Sequence, residues 1–437
     1  MTGNRTAGSG TIYRTARQVG VAAGLMLAGS IVWGCTGQAA AMPVASSQAT
    51  RAAGSDQGAG QAAAAITAFG IDYYKQVLTK GGDAVMSPAS IVLALSMAQE
   101  GAIGDTAAQI DKVLHGASGT DSGNGVNSLD RALSVLSGTY SNSRGDEEPL
   151  TLRIANAPFA QSNYTFRQAY LDALASRHGA AVRLVDFRAD AEGARRQINA
   201  WVADQTSGRI PELLDGLDDS TRLVLVNAIY LKASWLTPFE ESATQDAPFV
   251  RTDGSKVNVP TMSTLLENGR YAAGTGWQAV ELPYAGPSLA MTVIVPDDLA
   301  AFEKTFDAAS FAEITAALAP SSVDLTLPRF KIESKSDLAT ELSAMGMPLA
   351  FDRARADFSG ITTEEPLYIS KVIHQANISV DEKGTEGAAA TAVVMLAGSA
   401  PIAKVATVHV DRPFIFAVRD TATGAILFLG RVVDPGA

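Results

Sequence analysis

Apolar residues recur at helical spacing in several segments of the first half of the chain. Residues 71 to 78 continue an apolar stripe, and residues 90 to 102 place their large apolar side chains on one helical face. Residues 198 to 206 repeat the pattern, and Gly208 provides a stop signal shortly after them. These three segments predict helices.

Strand patterns are concentrated later in the chain. Residues 223 to 231 and 289 to 295 are nearly continuous apolar runs with β-branched residues, which is typical of strands buried on both faces. Residues 323 to 332 alternate between apolar and polar or small residues and predict one half-buried strand. Residues 414 to 418 and 426 to 433 predict two hairpin strands around a turn. Helices early and strands late favour an α+β fold over alternating βαβ units.

The N-terminus has the pattern of an export signal. Arg14 and Arg17 precede an apolar run over residues 19 to 33. This run is shorter than the roughly 20 residues of a membrane-spanning helix and suits a signal peptide core. It ends in the letters VWGC, which resemble a bacterial lipobox, so we expect a lipid on Cys35. The alternative is a plain secretory signal cut near residues 39 to 41, which would remove Cys35.

Composition divides the chain into three parts. Residues 1 to 35 form the predicted signal peptide with its lipobox cysteine. Residues 36 to 62 are rich in Ala, Gly, Ser and Gln with almost no large apolar side chains, so we expect a flexible linker there. No later stretch looks like a linker, and residues 63 to 437 therefore predict one large domain.

Charge and chemistry exclude several classes of function. The net charge of -11 argues against nucleic acid and anionic membrane surfaces as partners, so membrane contact is expected only through the N-terminal lipid. The usual sequence motifs for hydrolytic nucleophiles, phosphate loops and zinc helices are absent. One cysteine and four scattered histidines offer no metal cluster, these being His115, His178, His374 and His409. We therefore expect that the protein is not an enzyme and that it binds no cofactor and no metal ion.

One segment near the C-terminus is unusual in composition. From Asp381 to Lys404 the chain is acidic at first, then loses its charge, and it has no large side chain before Met395. Its alanines suit a surface helix or linker. Its small residues equally suit an extended loop that becomes a strand. In that case Thr385 would lie on one face with the alternate residues after it, and Glu386 would lie on the other face, in water.

Motifs from residue 85 to the C-terminus resemble those of the serpins, a family of serine protease inhibitors, and occur in that family's order. The resemblance covers almost everything after about residue 65. It implies the serpin fold, in which helices pack around a large mixed central β-sheet with further sheets and an exposed reactive loop. The motifs read VMSPASIVLALSMAQEGAIGDTAAQ, INAWVADQTSGRIPELL, LVLVNAIYLKASW, LPYAG, LPRF, ADFSGI, ISKVIHQA and DRPFIF.

The resemblance also implies a mechanism. The reactive loop is bait for a protease, and after cleavage it inserts into the central sheet and traps the acyl-enzyme. Counting along the loop from Glu382 places the reactive bond between Gly398 and Ser399, where small residues favour elastase-like or subtilisin-like targets. The residues that match the hinge of this loop are Glu382, Gly384, Thr385, Glu386, Gly387, Ala388, Ala389, Ala390 and Thr391.

Other positions match sites that control sheet opening in this family. The resemblance implies a shutter at Ser87, Ser90, Asn227 and His374, a breach residue at Trp235, and a salt bridge between Arg329 and Glu382. From the residues alone, Ser90 also fits a helix cap, and Trp235 and His374 also fit ordinary core positions.

The expected partners are serine proteases in a covalent acyl complex, with cysteine proteases as further candidates. We expect an exported monomer, either a cell-surface lipoprotein or a secreted extracellular protein. One alternative is a non-inhibitory serpin, and another is a surface-displayed binding lipoprotein whose loop is not cleaved. Gly387 departs from the alanine usual in serpin hinges, which puts the efficiency of trapping in doubt.

Overall fold

Nine α-helices occur in the parts of the chain that the computed structural model describes, residues 42–78, 81–117, 123–386 and 405–436. A π-helical turn at Leu174–His178 extends the fifth helix. The helices are α1 (Asp56–Leu78), α2 (Pro88–Gln99), α3 (Gly104–Val113), α4 (Gly123–Ser134), α5 (Gln168–Ala173), α6 (Ala191–Gln205), α7 (Leu299–Thr305), α8 (Ala308–Ala317) and α9 (Ala339–Met345).

The described strands form two large sheets. The first eight are β1 (Val44–Ala45), β2 (Ala84–Met86), β3 (Gly138–Ser141), β4 (Glu147–Gln161), β5 (Val182–Val185), β6 (Leu223–Ser234), β7 (Gln245–Val250) and β8 (Lys256–Gly274). The other nine are β9 (Trp277–Pro283), β10 (Leu289–Pro296), β11 (Ala319–Pro328), β12 (Phe330–Asp337), β13 (Lys371–Val380), β14 (Gly384–Thr385), β15 (Ala406–His409), β16 (Phe414–Asp420) and β17 (Ile426–Val432).

The central sheet is mixed and has the order β1-β5-β4-β6-β14-β13-β12, with β3 attached to β4. The second sheet has the order β15-β11-β8-β9-β10-β16-β17-β2, with β7 attached to β8. The buried helix α2 contacts β4 and β6 of the central sheet and β17 of the second sheet. A separate apolar cluster on the opposite face of β4 and β6 includes Ile198 and Val202 of α6. The expected α+β architecture is confirmed.

Strand β6 shows why both sides of the central sheet are buried. Val224, Val226 and Ala228 belong to the cluster under α6, whereas Leu225 and Ile229 belong to the main core around α2. Because side chains alternate along a strand, a continuous apolar run supplies both faces. The same alternation points Asn227 toward α2, where it matters for the site.

The N-terminal part of the fold departs from the expected flexible linker. From Met42 onward the described residues form one compact unit, β1 pairs with β5, and α1 begins at Asp56. The linker was predicted because residues 36 to 62 have almost no large apolar side chains, but in α1 alanines pack against the core instead. The helix buries a stripe of small and apolar residues at helical spacing, namely Ala59, Ala62, Ala63 and Ile66.

The single strand expected over residues 323 to 332 is in fact two strands in different sheets. Strand β11 ends at Pro328 and pairs with β8 in the second sheet, while β12 begins at Phe330 and pairs with β13 in the central sheet. Alternation continues through both strands, so the pattern alone did not show the break. Arg329 lies between them, which positions its side chain at the junction of the two sheets.

Candidate functional site

The central sheet parts between its two middle strands. Strands β6 and β13 run in parallel and pair from Val224 and Lys371 up to Ile229 and Ala376. Beyond the pair of Ile229 and Ala376, β6 and β13 are not paired with each other in the described part of the chain. The two-residue strand β14 instead lies between them, where Thr385 pairs with Val380 of β13 and with Ala233 of β6. The sheet is therefore already wedged open at one end.

Gly384 begins this wedge because no other residue fits there. Its φ is +153°, in the region that favours glycine, and a Cβ atom built on it would lie 2.1 Å from the carbonyl oxygen of Ala233. This contact is far inside van der Waals distance. The glycine allows β14 to approach β6 closely enough to pair with it.

Thr385 points from the wedge into the core. Its side chain is buried, and its hydroxyl lies 2.6 Å from the hydroxyl of Tyr284. Tyr284 stacks on Trp235, with ring centroids 4.4 Å apart. The indole N–H of Trp235 donates to the carbonyl oxygen of Asp381 at 2.9 Å, just before the wedge. The two aromatic rings thus anchor both ends of the turn that leads into β14.

Glu382 is held by an ion pair in the same turn. Arg329 donates from Nε to the Glu382 carboxylate at 2.8 Å, and the Thr244 hydroxyl donates to the same oxygen. Burial by itself would raise the pKa of Glu382, but the hydrogen bonds from Arg329 and Thr244 outweigh it and leave the pKa below its usual range. The carboxylate therefore stays charged while only 4% of its side chain is exposed.

Glu386 follows β14 in the left-handed backbone region, with a φ of +54°. Its carboxylate is 3.3 Å from Nε of Arg209, and its backbone N–H donates to the carbonyl oxygen of Ser379 at 3.0 Å. The expectation that Glu386 stays in water is wrong, because only 12% of its side chain is exposed. Burial raises the pKa of Glu386, against the opposing effects of the Arg209 charge and the Tyr230 hydroxyl.

A row of polar side chains crosses the sheet where β6 and β13 are still paired. Asn156 of β4 is opposite Asn227 of β6, which is opposite His374 of β13. Nδ2 of Asn227 donates to Oδ1 of Asn156 at 2.7 Å and to Oγ of Ser90 at 2.6 Å. Nδ1 of His374 donates to Oδ1 of Asn227. We call these three residues with Ser87 and Ser90 the polar row.

The start of α2 completes the polar row. Ser87 is the N-cap, whose hydroxyl accepts from the N–H of Ser90 at 3.2 Å, so Ser90 is not the cap. The Ser87 N–H donates to Nε2 of His374 at 3.0 Å, which fixes the neutral imidazole. Burial lowers the pKa of His374 to about 3. These hydrogen bonds hold the strands together directly below the parted region.

Sequence reasoning missed Asn156 and Thr244 in this site, and it included Tyr284 only as part of the LPYAG motif, without a role. Asn156 has a weak signal, since it is the one amide in a run of small and apolar residues from 154 to 160. Thr244 has no comparable signal. Gly387, Ala388, Ala389, Ala390, Thr391, Gly398, Ser399 and Cys35 lie outside the described residues.

The described residues contain no group of three or more His, Cys, Asp or Glu side chains placed to hold a metal ion. None of the helices in these same ranges has the length and hydropathy needed to cross a membrane.

The site is therefore defined by a mixed sheet that is parted at one end, with the short strand β14 paired into the gap. The family model Serpin (serine protease inhibitor) matches residues 64–435. The chain belongs to the serpin family, which is described by protease inhibition and not by a catalytic activity.

Relatives agree with this assignment over most of the chain. An uncharacterised serpin-like protein of Thermococcus kodakarensis is 38% identical over 376 residues, covering 85% of each chain. The leukocyte elastase inhibitor of Bos taurus is 36% identical over 392 residues, covering 86% of this chain and all of that one. The crystal structure of the thermophilic serpin tengpin in its native state has a TM-score of 0.77 and 26% identity, covering 90% of this chain and 99% of that one.

Proposed function

We propose that this protein inhibits serine proteases as a suicide substrate. The observation that supports this most directly is the gap between β6 and β13. Gly384 and Thr385 are already paired in this gap, beside Ser234 and Ala233 of β6. A loop that continues directly from this wedge needs no new nucleation to extend into the sheet. Each further pair of residues would add backbone hydrogen bonds to both neighbouring strands.

The chemistry begins with acyl transfer. The serine hydroxyl of the protease attacks the carbonyl carbon of Gly398, the peptide bond to Ser399 breaks, and Ser399 leaves with a free amino group. The residues before the break remain joined to Thr385 and carry the protease as an ester. Insertion of this arm between β6 and β13 moves the protease and distorts its active site before water hydrolyses the ester.

The small residues around Gly398 suit elastase-like and subtilisin-like proteases, whose pockets take small or apolar side chains. The relatives named leukocyte elastase inhibitor support the first of these target classes. Cysteine proteases form a comparable thioester and are a second class to test. The inhibitor acts as a monomer, and one molecule captures one protease.

The test mixes the full chain with pancreatic elastase, subtilisin or papain and resolves the products on a denaturing gel. A covalent complex that survives SDS, with a released peptide that begins near Ser399, supports the proposal. Cleavage of the loop without a complex identifies a non-inhibitory serpin and rejects the proposal for that protease. A loop that stays intact favours a binding lipoprotein.

We also propose that the protein is exported and carries a lipid on Cys35. The apolar run and the VWGC sequence support this. Mass spectrometry of the mature N-terminus tests it directly. A mature N-terminus at a diacylated Cys35, together with release of the unlipidated Cys35→Ser variant into the medium, supports a surface lipoprotein. A mature N-terminus beyond residue 38 supports a plainly secreted protein.

A further inference from the structure

Glu386 has a backbone conformation that L-residues rarely adopt. Four residues other than glycine have a positive φ in the described ranges, namely His115, Asn163, Ser207 and Glu386. His115 and Ser207 each follow the end of a helix and precede a glycine, and asparagine tolerates the left-handed region well. Glu386 alone of the four follows a strand. Backbone strain at a single position of this kind points to a function.

The register of the wedge reaches Glu386, although the strand stops before it. Thr385 is the last residue of β14 and pairs with both β6 and β13. One residue further along, an antiparallel strand would place residue 386 opposite Lys232 and Ser379. The N–H of Glu386 already donates to the carbonyl oxygen of Ser379 at 3.0 Å. Glu386 therefore has the position of the next strand residue, and its φ of +54° is what departs from a strand.

The side chain of Glu386 is held by cations from three parts of the fold. Arg209, shortly after α6, places its Nε 3.3 Å from the carboxylate. Lys232 of β6 and Lys331 of β12 are the other two cations, and all three charges favour the charged carboxylate. Because the N–H of Glu386 is fixed by Ser379, a change of φ would swing the side chain out of these contacts. The contacts therefore stabilise the left-handed backbone.

The edges of the gap beyond β14 are ready to pair with a further strand. Residues 230 to 232 of β6 pair with β4, and residues 377 to 379 of β13 pair with β12, but the two segments do not pair with each other in the described part of the chain. A strand that is paired along one side only leaves backbone groups free on the other. The backbone of Glu386 is the first that must change before β14 can lengthen into this space.

We propose that Glu386 is a conformational stop that limits β14 to two residues while the loop is uncleaved. Its left-handed backbone, braced by Arg209, prevents β14 from lengthening into the gap before a protease arrives. This inference rests on the insertion step of the proposed function and assigns the restraint on that step to one residue. A residue that tolerates the left-handed region should preserve the stop, and a β-branched residue should remove it.

The experiment measures amide hydrogen exchange at residues 230 to 232 and 377 to 379 in the full, uncleaved chain. Glu386→Val removes the carboxylate and disfavours the left-handed region, so exchange should slow at least about tenfold as β14 lengthens. Glu386→Asn also removes the carboxylate but tolerates that region, so it is the matched control, with exchange expected within about threefold of the wild type. Glu386→Thr is a second β-branched variant, for the case that the valine variant folds poorly, and it should slow exchange in the same way.

A separate pair of variants tests the brace. Arg209→Gln leaves Glu386 in place without its ion pair and should slow exchange in the gap by about threefold or more. Arg196→Gln is the control, since Arg196 is an exposed arginine of α6 that pairs with Glu192, and it should leave exchange unchanged. Equal exchange in the two arginine variants would overturn the role given to Arg209.

A cleaved sample separates this inference from the proposed function. Wild-type chain cut in its loop by subtilisin should show slow exchange at the same residues, because insertion fills the gap. Slow exchange in the cut chain with unchanged exchange in both β-branched variants overturns the stop and leaves insertion standing. Equally slow exchange in Glu386→Asn and Glu386→Val also overturns the stop, because charge and not backbone conformation then controls β14. An uncut loop, or fast exchange after the cut, overturns both the stop and the insertion step.

Discussion

The Thr385 hydroxyl lies 2.6 Å from the Tyr284 hydroxyl inside the core, at the end of the sheet where β6 and β13 no longer pair with each other. The contact joins a residue of the loop segment to a strand-end tyrosine that is itself stacked on Trp235. Thr385 is therefore the first side chain of an inserting strand to occupy a buried position. Every further inward-facing residue must enter the same core.

Replacing Thr385 by arginine should convert the inhibitor into a substrate. A buried guanidinium at this position costs on the order of several kcal/mol, so the variant should withdraw residue 385 from the gap. The loop must then bury this cation before it can insert, which should slow insertion by at least about tenfold and let hydrolysis win. The measurement is the ratio of covalent complex to cleaved chain with elastase. Thr385→Ser keeps the hydroxyl and should retain the complex. Equal complex from Thr385→Arg would contradict the insertion mechanism.

Gly384→Ala should release the wedge. The new Cβ would collide with the carbonyl oxygen of Ala233, so β14 can no longer pair with β6. Amide hydrogen exchange at residues 233 to 234 should become faster. Gly254→Ala is the control, because Gly254 also has a positive φ, +82°, but nothing lies within 4 Å of its added Cβ. Unchanged exchange in Gly384→Ala would show that β14 does not depend on this close approach.

The sequence located part of the site because some residues are recognisable without their partners. Asn227 and His374 stand in motifs that resemble serpins, and the structure places them opposite each other on adjacent strands. Asn156 and Thr244 have no such motif, and their roles depend on tertiary neighbours far away in the chain. A polar residue becomes part of a network only through contacts that no local pattern encodes.

Local sequence patterns gave two wrong predictions about the fold, the flexible linker and the single strand over residues 323 to 332, each for a physical reason. Residues 42 to 62 lack large apolar side chains, yet alanines pack in α1 and backbone pairing holds β1. Alternation runs on through Arg329, yet the chain changes sheets there. The length of a strand and the alternation of its side chains do not determine which other strand it pairs with.

Acid should weaken the polar row through His374. Burial lowers its pKa from 6.5 to about 3, so between these values the unfolded chain binds a proton that the native state excludes. Stability is therefore lost as pH falls from about 6.5 toward 3, at up to about 1.4 kcal/mol per pH unit. The measurement is the free energy of urea unfolding against pH.

His374→Gln removes the titrating group and should lack this component of the pH dependence, while being less stable at neutral pH. His115→Gln is the control, since His115 is exposed and pairs only with Asp72. Parallel pH profiles for the wild type and His374→Gln would show that His374 does not control the acid response.

The ion pair of Arg329 and Glu382 should behave as a coupled unit. Arg329→Ala leaves the Glu382 carboxylate, 4% exposed, with Thr244 as its remaining side-chain partner, and should destabilise the native state by about 1 to 3 kcal/mol. This range is below that of fully buried pairs because 44% of the Arg329 side chain is exposed. Adding Glu382→Gln to Arg329→Ala removes the unpaired charge, so the double variant should regain part of the loss in urea unfolding. Lys383→Ala breaks the exposed pair with Glu241 and should cost no more than about 0.5 kcal/mol. If the effects of the two single substitutions simply add in the double variant, the pair is not coupled and the turn before β14 depends on the aromatic anchors alone.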